Sequence, residues 1–185
     1  DQAIRPHALG RFRDLLEATA RHPAMLFYLD NWRNTAPGSP GARGKEEGIN
    51  ENYARELMEL HTLGVNGGYT QADVIALAHI LTGWGLGRPR DGVNQGGFVF
   101  DAGRHDFGDK LFLGHVIRGS GMAEAEQAFD ILARSPATAK HLGFELAQYF
   151  VADEPPPALV DRLARRYLET DGSIRAVLKT LFTAA

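Results

Sequence analysis

A chain of 185 residues, 44% of them hydrophobic, is long enough to bury one real core, so a single helical domain over 1–185 is the expected organisation. A formal net charge of -3, with Lys and Arg scattered among Asp and Glu, lacks the clustered basic stripe that a phosphate backbone requires, which excludes nucleic acid as an expected partner. The absence of cysteine removes disulfides, zinc thiolates and cysteine nucleophiles together, and the longest apolar runs, 24–29 and 74–81, fall far short of the roughly 20 residues that span a bilayer.

Residues 1–6 show neither a charged start leading into an apolar stretch nor a small-residue cleavage site, so no targeting signal is expected in this stretch. Ile4, Leu9, Phe12, Leu15, Leu16 and Ala20 fall on one helical face and predict a helix over 5–21. His22-Pro23 breaks it, because Pro23 lacks an amide donor and suits only the first turn of a new helix, which the apolar run 24–32 supplies. Residues 33–48 are Gly, Pro, Ser and charge, the composition of a flexible, exposed loop. Helical pattern resumes over 51–63 and stops at Gly64, which suits a left-handed cap.

Thr70 followed three residues later by Asp73 resembles a capping box, and Val74, Leu77, Ala78, Leu81 and Trp84 form the next buried stripe, ending near Gly83. Between Gly85 and Gly121 helical periodicity vanishes. Phe98-Val99-Phe100 and 110–113 are the strand candidates, so at most a small two-stranded β-ribbon is expected near residues 98–113. The remainder is helical: 123–133, a helix capped by Ser135 with Pro136 in its first turn, 159–168, and a last helix after the Asp171-Gly172-Ser173 turn. The fold class is therefore mainly α, an irregular multi-helix bundle.

The densest polar segment is 50–62. At about 100° per residue, Asn52, Arg55, Glu56 and Glu59 share one side of a helix while Tyr53, Ala54, Leu57, Met58 and Leu60 share the other. One reading is a solvated face with an Arg55/Glu59 pair at i,i+4. The other is a site, because successive carboxylates on one face are how carboxylate bundles hold metals. The usual Glu-x-x-His spacing is missing, however, and no metal is assigned. Asn52, Arg55 and Trp84 are the binding candidates, and Glu56 and Glu59 the carboxylate candidates; the helix over 51–63 is expected to be central, with Glu56 or Glu59 substantially buried and bonded.

The second polar segment is 101–110, where His105 flanked by Asp106 could be a general base with an orienting acid. The plainer alternative is a turn in which Asp106 and Asp109 accept backbone amides. No phosphate loop, Gly-x-Gly-x-x-Gly, His-Glu-x-x-His or Gly-x-Ser-x-Gly occurs, so no cofactor is assigned.

The string Asn50 to Val65, then Gly67-Gly68-Tyr69-Thr70-Gln71-Ala72-Asp73-Val74, closing on Leu81-Thr82-Gly83-Trp84, closely resembles the bacterial family catalogued as domain of unknown function 1800. His22-Pro23-Ala24-Met25-Leu26, Tyr28-Leu29-Asp30-Asn31, Phe98 to Asp101, His105-Asp106, Lys110 to Gly114 and Phe150-Val151-Ala152-Asp153 extend the likeness over essentially the whole chain. The resemblance implies a longer parent with a preceding helical portion that this chain would contact, and a periplasmic or exported location. It carries no catalytic residue, substrate or cofactor. Two functions stay open at this point: a non-enzymatic helical binding or assembly module of the cell envelope, and a metal-assisted or acid/base hydrolase-like enzyme using the Glu56/Glu59 helix and the His105 loop.

Overall fold

The computed structural model describes residues 2–42, 48–87 and 96–183. Its α-helices are α1 (Phe12–Ala20), α2 (Pro23–Tyr28), α3 (Asn52–Glu59), α4 (Gln71–Ile80), α5 (Met122–Arg134), α6 (Pro136–Phe150), α7 (Pro157–Glu169) and α8 (Ile174–Phe182). Four short strands, β1 (Trp84–Leu86), β2 (Phe98–Phe100), β3 (Lys110–Phe112) and β4 (His115–Ile117), pair as two separate antiparallel ribbons. The mainly α class read from the sequence is what the chain adopts.

The chain packs as two compact units. The first comprises Asp1–Ala18, Met58–Gly68 and Asp130–Ala185. Here α7 packs on both α6 and α8. Gly143 makes the α6/α7 approach possible, since a Cβ there would lie 3.2 Å from the Val160 carbonyl oxygen. Leu16, Leu132, Leu163, Tyr167, Val177 and Leu181 form the core, and Tyr167 donates its buried hydroxyl to the Ala133 carbonyl at 2.7 Å. The helix expected from residue 5 begins only at Phe12. The residues before it form successive turns, closed by the His7 amide on the Ile4 carbonyl at 3.0 Å and the Gly10 amide on the His7 carbonyl at 2.9 Å, and at Arg11 the amides of Phe12 and Ile174 donate to the carbonyls of Gly172 and Gly10 across an antiparallel bridge.

The second unit comprises Thr19–Leu57 and Tyr69–Phe129. Tyr53, Ala54 and Leu57 of α3 and Val74, Leu77 and Ala78 of α4 are buried, as the two stripes predict, and Ile80 is buried beside them, whereas Leu60 of the predicted apolar arc is exposed just past the end of α3. The Thr70/Asp73 capping box forms in both directions and starts α4. Asp73 also accepts the Leu113 amide at 2.8 Å, tying α4 to the second ribbon.

Both strand candidates are strands, but their partners differ from the expected ribbon between 98–100 and 110–113. Phe98–Phe100 pairs with Trp84–Leu86, and Lys110–Phe112 pairs with His115–Ile117. Leu113 (φ 48°) and Gly114 (φ 79°) turn the second hairpin, and the two positive φ angles match the twist of an antiparallel pair. Residues between the candidates are instead committed to a 3-10 turn, Ala102–Arg104, with His105 buried behind it.

The expected exposed loop 33–48 is anchored at its start, where Asn34, Thr35 and Ala36 are buried. Arg104 does this, donating from Nε to Thr35 Oγ1 at 2.8 Å and from Nη2 to the Trp32 carbonyl at 2.8 Å. The part of that loop at 43–47 lies outside the described residues, as does 88–95 of the glycine-rich stretch. No helix among the described residues is long and apolar enough to cross a membrane.

Candidate functional site

Two polar assemblies stand out in the second unit, one sealed and one open. The sealed one centres on Glu124. As the third residue of α5 it reaches back to accept the Ser120 and Gly121 amides at 2.8 and 2.9 Å, the carboxylate half of a capping box. The same Oε1 faces His105 Nε2 at 2.9 Å, and Oε2 accepts from Lys110 Nζ at 2.6 Å. Side-chain exposure is 0% for His105 and Glu124 and 5% for Lys110.

Burial alone would push the Glu124 carboxyl up, but hydrogen bonds from His105, Lys110 and the two amides more than offset it and hold the group below its ordinary value. His105 Nδ1 lies 2.8 Å from the Thr82 carbonyl oxygen. A carbonyl has no hydrogen to give, so Nδ1 is the donor to Thr82 and Nε2 is left facing Glu124. Glu124 thus faces the Lys110 ammonium and the His105 ring, and the Lys110 ammonium also donates to the Asp106 carbonyl. Both carboxylate oxygens of Glu124 and both ring nitrogens of His105 have partners within the fold. The cluster ties the end of α4, the 101–109 loop, β3 and the start of α5 together, and it presents nothing to a substrate.

His105 and Asp106 diverge, as adjacent side chains of extended backbone do. Asp106 Oδ2 meets His79 Nδ1 of α4 at 2.6 Å, and its Oδ1 accepts the Gly108 amide at 2.7 Å. Asp109 likewise accepts the Gly119 amide, at 3.1 Å. The turn reading holds for Asp106, whereas the amide that Asp109 accepts lies ten residues away, beyond the second hairpin. Asp106 sits below its ordinary value: burial raises it, while the Gly108 amide, the nearby Lys110 charge and His79 together lower it. The His79 and Asp106 side chains are 29% and 28% exposed, so this pair reaches solvent.

The open assembly lies at the start of α3, a cleft of about 540 Å³ lined by Arg33, Ile49, Asn50, Glu51, Asn52 and Arg55. A ladder of asparagines positions it. Asn31 Nδ2 donates to the Leu81 and Trp84 carbonyls, Asn34 Nδ2 donates to the Ala78 carbonyl at 2.7 Å, and Asn34 Oδ1 accepts the Asn50 amide at 3.0 Å. Asn50 Oδ1 in turn accepts the Asn52 amide, and Asn52 Nδ2 reaches the Leu29 carbonyl at 3.3 Å. Arg55 Nη2 donates to Glu51 Oε1 at 2.7 Å and to Gln71 Oε1 at 2.9 Å, while Gln71 Nε2 donates to Glu51 Oε2 at 2.7 Å. The hydrogen bond from Arg55 is the main reason Glu51 titrates below its ordinary value.

Asn52 and Arg55, singled out from the sequence, thus share one cleft. Trp84 is wholly buried, packed edge-to-face on Phe98 and Phe129. Glu56 and Glu59 are half-buried, and the fully buried, bonded carboxylate is Glu124. His105 spends both nitrogens on Glu124 and Thr82 rather than on the α3 carboxylates. Among the described residues no three His, Asp or Glu side chains are grouped to hold a metal ion. A smaller hollow in the first unit, about 240 Å³ and bordered by Arg11, Arg13, Asp130 and Asp171, is lined by charges that already pair with one another.

Sequence reasoning passed over His79, Lys110 and Glu124. The signal for Glu124 was present in its spacing of three from Gly121 at a helix start. His79 and Lys110 carried none, since each finds its partner only through the fold. No curated protein and no solved structure matches the chain. A family model described as Protein of unknown function (DUF1800) matches residues 1–185, and the chain belongs to that family.

Proposed function

We propose that this chain is a non-enzymatic binding and assembly module of the cell envelope, with the cleft at the start of α3 as its ligand-facing site. One observation carries the reading: the residues with the most catalytic character, His105, Lys110 and Glu124, are sealed and saturated, whereas Asn50, Asn52 and Arg55 line an open cleft. Such a cleft, polar and built on a fixed backbone, is suited to hold a small polar group. The proposed assembly partner is the preceding portion of the parent protein that the family resemblance implies. The mutually packed and exposed rings of Tyr149, Phe150 and Phe182 support a contact of that kind.

The test is amide chemical-shift mapping with a panel of small neutral and charged polar solutes. Saturable shifts confined to residues 48–55, lost in an Asn52→Ala/Arg55→Ala variant, are expected. Shifts with none of the panel, or shifts elsewhere in the chain only, would end this reading.

The His79–Asp106 pair favours a second reading, acid/base hydrolysis, because a carboxylate 2.6 Å from Nδ1 orients a partly exposed imidazole. On this reading the parent protein hydrolyses an activated ester, and both His79→Gln and Asp106→Asn lower the rate while leaving the amide spectrum folded. A rate indifferent to both substitutions removes it.

A further inference from the structure

The charges in the α3 cleft are unequally satisfied. Glu51 and Arg55 neutralise each other, and Glu51 spends one oxygen on Arg55 and the other on Gln71. Arg33 has no carboxylate partner among the described residues. Its guanidinium lies over the Trp32 ring, 5.7 Å from the centroid, and Trp32 stacks on Phe27 at 6.4 Å with planes 12° apart. An aromatic face takes up part of the positive charge and restricts the side chain, but it supplies no lone pair to the five N–H donors. A part-exposed cation positioned in advance, with no carboxylate partner among the described residues and a neutral pair beside it, matches a ligand that brings negative oxygens.

Resting on the binding reading above, we infer that the cleft takes an oxyanion, a carboxylate or a phosphate, held by the Arg33 guanidinium against the start of α3. The planar guanidinium fork can engage two oxygens of either group at once, which an ammonium cannot. Glu51 does not repel the ligand strongly, because both its oxygens are already covered by donors.

The experiment is a titration of the folded protein with sodium acetate, sodium phosphate and acetamide, at ionic strength balanced with chloride, reading the Asn50–Arg55 amides and the arginine Nε–H signals. Acetate or phosphate is expected to shift these signals saturably. Arg33→Gln is expected to weaken binding by about tenfold or more, and Arg33→Lys to recover part of it. The stronger of the two anions identifies the ligand's head group. Equal binding in wild type and Arg33→Gln overturns the proposal, since the anion is then held elsewhere. If acetamide shifts the same amides as strongly as the anions do, the cleft binds but its preference for anions is refuted. If no probe moves them, both the proposal and the binding reading fall.

Discussion

Glu124→Ala is expected to destabilise the second unit by on the order of 3–5 kcal/mol, the usual cost of removing one partner from a buried ion pair. The substitution strands the Lys110 ammonium, 5% exposed, and His105, wholly buried, and it leaves the Ser120 and Gly121 amides without an acceptor. Urea unfolding followed by tryptophan fluorescence reads the loss through buried Trp84. The double variant His105→Ala/Glu124→Ala should lose less than the sum of the single variants, because the first substitution already breaks the shared bond. A loss below about 1 kcal/mol for Glu124→Ala would mean that the cluster is not sealed.

The sign with pH follows from the direction of the shift. Glu124 is held below its ordinary value in the fold, so its contribution is present above that value and is lost as pH falls through the folded one. Acid unfolding of the wild type should therefore steepen in that window, and Glu124→Gln should flatten it while lowering stability near neutrality.

The second large effect concerns the backbone at the end of α4. Gly83→Ala is expected to cost about 3 kcal/mol, from two causes that add. Gly83 has φ +79°, and a Cβ there would stand 2.4 Å from the Asp101 carbonyl oxygen. That carbonyl belongs to the backbone joined to Gly83 by the Asp101 amide, which donates to the Gly83 carbonyl at 2.8 Å, so it cannot retreat without breaking the contact that seats the 101–109 loop. Gly114→Ala is the control. Its φ is also +79°, but nothing lies within 4 Å of an added Cβ, so only the left-handed backbone penalty of about 1 kcal/mol remains. Equal losses at the two positions would show that the close approach at Gly83 has no energetic weight. Thermal unfolding of the two variants side by side decides it.

Several features of this protein follow from local rules alone. The stripes of α3 and α4, the Thr70/Asp73 box, the Ser135-Pro136 start of α6 and the Ser173 cap of α8 are each specified within a few residues, and the chain adopts all of them. Asn52 and Arg55 could be paired in advance for the same reason, since one helical turn brings them to one side, and the cleft they line is where the polar face of that helix lies. What lies across the fold could not be read this way. Phe98–Phe100 declares itself a strand by composition, but its partner, Trp84–Leu86, is chosen by where α4 ends and by the space around Trp84. His79 and Asp106 are separated by 27 positions, and His105 and Glu124 by 19, so neither pairing has a spacing signature. Arg104 gave no sign that it would be buried against residues 32–35. A charged residue is recruited to the interior only where the fold assembles enough acceptors to offset its lost hydration, and for Arg104 these lie about 70 positions away in sequence, at Trp32, Asn34 and Thr35. Helices, caps and the amphipathic face of α3 were thus decided by sequence, through periodicity and first-turn chemistry. Which ionisable groups are sealed, and which open on a cleft, was decided only when the second unit closed around Glu124.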